Sequence, residues 1–132
     1  MRDMINLAAK AAMTSDPFDQ RNYLLGAIGI RKDGTVVSSK NGAVFSTLTF
    51  ADNWTIPTAH AEVRLCRKLG RGGIVYLARV ARKDGSLVMS RPCNMCRTIL
   101  KSHYVKKVYY SINSKQYGRL DVLKERDEVY NF

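Results

Sequence analysis

The chain has 132 residues, a hydrophobic fraction of 45% and a formal net charge of +11. Its length suits one domain, expected over residues 1–132, and its apolar content is enough for a core, which excludes a globally disordered chain. No apolar run approaches the length of a membrane span, and Asp3, Asn6 and Lys10 interrupt the opening segment where a signal peptide needs an unbroken apolar stretch, so a cytoplasmic location is expected.

The opening MRDMINLAAKAAMTSD reads as an alanine-rich amphipathic helix over about residues 3–13, stopped near Thr14–Pro17. YLLGAIGI (23–30) is an apolar strand, Asp33-Gly34 a hairpin turn, and TVVSS (35–39) the returning strand. Residues 43–57 are mixed and read as a loop carrying Phe50 and Trp54, which could stack on a base or pack in a core. AHAEVRLCRKLG has helical composition, with Thr58 or a neighbour as cap and Gly70 as terminator. GGIVYLARVA (72–81) is a β-branched and aromatic run expected as a central strand. RKDG then recurs at 82–85, the same turn chemistry used a second time. Pro92 suits the first turn of a third helix, PCNMCRTILKSH, and VKKVYYSI (105–112) is a further strand. In the polar tail, RLDVLKERD fits either a short helix or a strand. Helices alternating with strands in the second half imply an α/β sandwich with at least one parallel strand pair.

Three cysteines, Cys66, Cys93 and Cys96, are an odd number, which argues against a disulfide framework. Cys93 and Cys96 stand at i and i+3, on one face of a helix start where exposed N–H groups and the macrodipole favour thiolates. That suits a redox dithiol or a metal. For zinc, His60 at the start of the preceding helix is the nearest further donor. If the two helices lie side by side, one imidazole and two thiolates make three ligands with a fourth position for water, the arrangement of a catalytic rather than a closed structural site. Glu62, two residues on, does not share a helix face with His60 and is placed to carry a proton rather than to ligate. The bland counterpart is a structural zinc site with Glu62 an ordinary surface carboxylate. His-x-Glu followed by Pro-Cys-x-x-Cys is the signature of zinc deaminases.

PTAHAEV (57–63) and RPCNMC (91–96) resemble the cytidine deaminase superfamily, most closely its deoxycytidylate and tRNA adenosine deaminase branch, and the resemblance extends roughly from Leu24 to Ile112. It implies a three-layer α/β/α sandwich with a mixed central sheet. It also implies Zn2+ on His60, Cys93 and Cys96, with Glu62 as proton shuttle. Asn41 matches an asparagine that contacts sugar or base, and Ala59 a residue whose backbone lies along the base. Three departures stand out. Arg91 replaces the Ser or Glu usual before the proline and is a candidate phosphate contact. RKDGS adds a turn before the cysteines, and the tail after Ile112 is shorter than in tRNA-acting members. The implied function is hydrolytic deamination of a nucleobase, cytosine to uracil, in a nucleotide or single-stranded nucleic acid. Adenine deamination in RNA and a zinc-containing nucleic-acid-binding protein without catalysis are the alternatives. Self-association in the family makes a homo-oligomer the expectation.

Away from the motif, Cys66 falls on the helix face with Ala59 and Val63 and reads as a buried core thiol. His103 reads as a surface histidine at a helix end. Arg64, Lys68 and Arg71, with Arg67 beside them, and Arg97 with Lys101 form basic stripes that suit either a phosphate track or a solvated outer face.

Overall fold

A computed structural model describes residues 1–14, 21–40, 47–49, 55–57 and 61–132. Its largest sheet runs in the order β2-β1-β5-β7-β8-β9, with β6 paired to β5. The strands are β1 (Tyr23–Ile30), β2 (Val36–Lys40), β5 (Ile74–Ala81), β6 (Leu87–Val88), β7 (Lys107–Ser111), β8 (Gln116–Asp121) and β9 (Arg126–Asn131). Every pairing is antiparallel except β5 with β7, so the sheet is mixed. That one parallel pair is joined through a helix, as a parallel crossover requires.

Both faces of the sheet centre are covered. Along β5 the side chains alternate: Val75 and Leu77 meet one helical layer, Tyr76 and Ala78 the other. Helix α1 (Arg2–Met13) buries Ile5, Ala8 and Ala12. Its alanines lie almost directly on the backbone of β1, for a Cβ on Gly26 would stand 2.1 Å from the Ala8 carbonyl oxygen. Helices α2 (Ala61–Leu69) and α3 (Asn94–Ser102) share the opposite face, where Val63, Leu65, Ile99 and Leu100 join Val108 and Leu120 in the main core. This is the expected three-layer α/β/α sandwich. No helix among the described residues is long and apolar enough to cross a membrane.

The repeated RKDG turns are built alike. In each, an aspartate Oδ1 accepts the N–H two residues on, Asp33 from Thr35 and Asp84 from Ser86, both at 2.9 Å, and glycine follows at positive φ. Those hydrogen bonds hold both carboxyls below their ordinary range. Gly70 (φ 76°) ends α2, and the Arg31 guanidinium donates to the freed Lys68 carbonyl with Nε at 2.7 Å.

Two segments differ from, or go beyond, the sequence reading. The expected loop 43–57 contains a small antiparallel pair, β3 (Thr47–Thr49) with β4 (Thr55–Pro57), in keeping with its β-branched threonines and isoleucine. Phe50 and Trp54 lie outside the described residues. In the tail, where helix and strand were both open, β8 and β9 form a hairpin. Period-two burial of Gly118, Leu120 and Val122 against the core selects the strand.

Candidate active site

The starts of α2 and α3 lie on the same face of the sheet and are tied to neighbouring strands. At α2, the Ser39 hydroxyl donates to the Ala61 carbonyl at 2.5 Å, and Arg64 Nη1 donates to the Lys40 carbonyl at 3.2 Å. These bonds hold the end of β2 against the first turn of the helix. Glu62 sits in that turn and is only 3% exposed. It is not the surface carboxylate of the bland reading. A carboxylate this dry is costly to bury without a purpose.

At α3, Cys93 is the N-cap (φ −68°, ψ 170°), and its carbonyl accepts the Arg97 N–H at 2.9 Å. Arg97 also donates from Nη1 to the Pro92 carbonyl at 2.8 Å, so its guanidinium folds back over the entry to the helix. No acidic residue stands in the first turn, leaving that helix end to favour anionic sulfur. Cys93 is exposed and Cys96, one turn later, is buried.

A cavity of about 230 Å³ opens between the two helix starts and the strand ends, lined by Glu62, Cys93, Ser90, Arg91, Arg79 and Tyr23 among others. Burial pushes the Cys96 thiol up, and the neighbouring Glu62 carboxylate and Cys93 push it further. These neighbours disfavour the Cys96 thiolate. A divalent cation reverses that balance, since a coordinating thiol is deprotonated outright. The donor chemistry at this place, two sulfurs a helical turn apart beside a buried carboxylate, therefore fits a thiophilic metal such as zinc. His60, Asn41 and Ala59 lie outside the described residues. Among the described residues alone, no three His, Cys, Asp or Glu side chains form a metal-holding group.

The structure thus brings together Glu62, Cys93, Cys96 and Arg91. It also ties Arg91 to the C-terminal hairpin. Arg91 forks onto Asp127 of β9, Nε to Oδ2 at 2.7 Å and Nη2 to Oδ1 at 3.1 Å, while the Tyr110 hydroxyl donates to the same carboxylate. Arg91, Tyr110 and Arg97 hold the Asp127 carboxyl below its ordinary range, the Arg91 hydrogen bond most of all. Beneath this clamp, Ser90 and Ser111 are buried with their oxygens 2.9 Å apart, and Ser90 N–H donates to the Ser111 carbonyl at 2.9 Å. They pin the segment that leads from β6 into the cysteines. Sequence reasoning singled out none of Asp127, Tyr110, Ser90 and Ser111. Asp127 lies 36 positions from Arg91, and no local pattern links the two.

The remaining expectations resolve simply. Cys66 is buried, its thiol pushed up to about 12 by burial and then by Glu62. His103 caps the end of α3, its Nδ1 3.2 Å from the Gly70 carbonyl oxygen.

Comparison with known proteins follows the same line. Residues 1–112 match the family model for the cytidine and deoxycytidylate deaminase zinc-binding region. Among solved structures, the fold is similar to the cytidine deaminase from Burkholderia pseudomallei at 15% identity, covering 98% of this chain and 91% of that one, with a TM-score of 0.53. It is also similar to a variant of the cytidine deaminase from Mycobacterium tuberculosis at 22% identity, covering 85% and 88% of the two chains, with a TM-score of 0.52. No protein of curated function matches the sequence.

Proposed function

The chain belongs to the cytidine and deoxycytidylate deaminase family, and from that premise we propose that it hydrolytically deaminates cytosine to uracil in a phosphate-bearing substrate. The observation that carries the reading is Glu62, buried in the first turn of α2 and lining the same cavity as Cys93.

His60, Cys93 and Cys96 would hold zinc, which when bound supplies the Lewis acidity that brings the pKa of water toward about 7. The work of the chain falls to its own side chains. Glu62 takes a proton from the attacking water and returns it to the departing amine, so that water adds at the carbon bearing the amine and ammonia leaves. Burial of Glu62 keeps that transfer away from bulk water. Asn41 and Ala59 would contact sugar and base. Arg91, already oriented by Asp127, stands with Arg79 and Arg21 at the cavity and gives it a cationic rim suited to a phosphate.

A specific observation favours a base within a single strand over a free nucleotide. A groove of about 800 Å³ between α1, β2 and α2 is lined by Lys10, Lys40, Arg64, Arg67 and Lys68. It reaches the first turn of α2 through Ser39, whose hydroxyl donates to the Ala61 carbonyl; Lys40, Arg64 and Lys68 each donate to a backbone carbonyl, and their charge still favours flanking phosphates.

The test is a mass-spectrometric deamination panel of cytidine, deoxycytidine, their monophosphates, single-stranded DNA and RNA, and an adenosine-containing tRNA hairpin, with zinc content measured in parallel. Product from cytosine substrates that Glu62→Gln abolishes is expected. Inosine from the hairpin alone would replace cytosine by adenine. A zinc-loaded protein inactive on every substrate would sink the enzymatic reading.

A further inference from the structure

At the far end of the sheet from the candidate site lies a second basic pocket, of about 840 Å³, walled by Lys32, Arg71, Lys106, Lys107 and Tyr104 around Gly72 and Gly73. The two places are well separated. The catalytic cavity touches Arg79 near the C-terminal end of β5, whereas this pocket touches Ile74 at its first residue. Five strand residues at about 3.3 Å each put them roughly 16 Å apart.

Three loops build the pocket: the β1–β2 turn, the α2–β5 connection and the α3–β7 connection. They are cross-braced, with Gly72 N–H donating to the His103 carbonyl at 2.6 Å. Gly72 stands at φ 80°, and a Cβ there would meet Lys32 Cε at 2.4 Å, so the absent side chain makes room for the lysine stem.

Among the described residues, none of the four cations forms an ion pair. Two carboxylates stand close by sequence or register, Asp33 beside Lys32 and Asp121 opposite Lys107, and each accepts a backbone N–H of its own turn. Four cations line the pocket against two neighbouring carboxylates, a net positive charge that attracts an anionic partner.

Tyr104 narrows the chemistry. It holds φ 62° at the end of α3, a left-handed position where glycine is at ease and a bulky side chain is strained. Yet the residue is 56% exposed, so core packing does not explain the tyrosine. Arg71 lies over the ring, 4.2 Å from its centroid. A strained, exposed aromatic beside cations that form no ion pair among the described residues is a pairing suited to a base together with its phosphates.

We propose that this pocket is a second nucleic-acid site: it binds a single strand, with phosphates at Lys32, Arg71, Lys106 and Lys107 and a base on the outer face of Tyr104. Four cations spread over this volume exceed what one phosphate needs, which favours a strand over a mononucleotide. The inference does not depend on catalysis. It gives the chain a way to retain a strand away from the cavity where Glu62 sits.

Fluorescence anisotropy with a labelled 12-nucleotide single strand tests it, in wild type, Lys32→Glu/Lys106→Glu and Tyr104→Gly, across a salt series, all in a Glu62→Gln background in which turnover is slow on the time of the measurement. The lysine variant is expected to shallow the slope of log K against log[salt] by about 1.4, at about 0.7 for each phosphate no longer neutralised. Tyr104→Gly relieves the strained backbone, so it should fold at least as stably as wild type while binding roughly 5- to 160-fold more weakly. Stability up and affinity down is a combination that misfolding cannot produce. Wild-type affinity and slope in both variants would overturn the proposal. So would a strand that binds no more tightly than a nucleoside monophosphate or inorganic phosphate competing in the same assay.

Discussion

Replacing Asp127 by asparagine isolates the charge that holds Arg91. The side chain keeps its size and one carbonyl oxygen, but it can no longer receive both prongs of the Arg91 guanidinium as a charged acceptor. Exposed ion pairs contribute about 0–1 kcal/mol and breaking buried ones costs about 3–5 kcal/mol. Here the Arg91 and Asp127 side chains are 35% and 26% exposed, so water screens the pair in part. Weakening the acceptor for the Tyr110 hydroxyl, on a residue only 2% exposed, adds to the destabilisation. The expected total is about 1–2 kcal/mol at pH 7, read by urea denaturation, or a Tm lower by roughly 3–10 °C. The pH dependence follows from the depressed carboxyl. Its stabilisation is complete above the unfolded carboxylate range near pH 4 and is lost as pH falls through the folded value below that. Wild type and Asp127→Asn should therefore converge in acid. The freed Arg91 should also raise KM for a phosphate-bearing substrate more than it lowers kcat. Equal stability at pH 7, within about 0.3 kcal/mol, would refute the clamp, and so would a gap that persists undiminished at pH 3.

Other outcomes are expected. Glu62→Gln should lower turnover by about 10²- to 10⁴-fold while zinc content stays at the wild-type level, measured by single-turnover kinetics and metal analysis. Chelation of the purified protein should release zinc with loss of activity and lower the Tm, and Cys96→Ser should purify with less zinc than wild type. Gly26→Val should destabilise by about 2 kcal/mol or more in the same urea assay, because the new side chain meets α1 backbone rather than a movable side chain. Cys66, buried with its thiol pushed up to about 12, should resist a thiol reagent at pH 8 in the folded protein and react once it is unfolded.

Much of the fold was legible because its signals are local. Asp33-Gly34 and Asp84-Gly85 each carry their own turn chemistry, and both formed it. Gly70 stopped α2 where a left-handed residue was needed. The apolar runs at 23–30 and 72–81 became central strands because their burial on both faces leaves no competing period. The tail was not legible: RLDVLKERD carries charges compatible with either helix or strand, and only the core beneath Leu120 and Val122 chose between them. The threonine-rich segments 47–49 and 55–57 were likewise too short to stand out from a loop.

At the site, the sequence pointed to Glu62, Cys93 and Cys96 acting together on the condition that their two helices lie side by side, and the structure makes the three residues neighbours. Tertiary structure decided what surrounds them. It buried Glu62, turned Arg91 onto Asp127, and set Ser90 against Ser111. It also gathered Lys32, Arg71, Tyr104 and Lys106 from three separate loops at the opposite end of the sheet. Helix periods, caps and turns act over a few residues and are written in the chain. Pairings between residues far apart in sequence exist only once strand order and register have been set, and no local pattern encodes them.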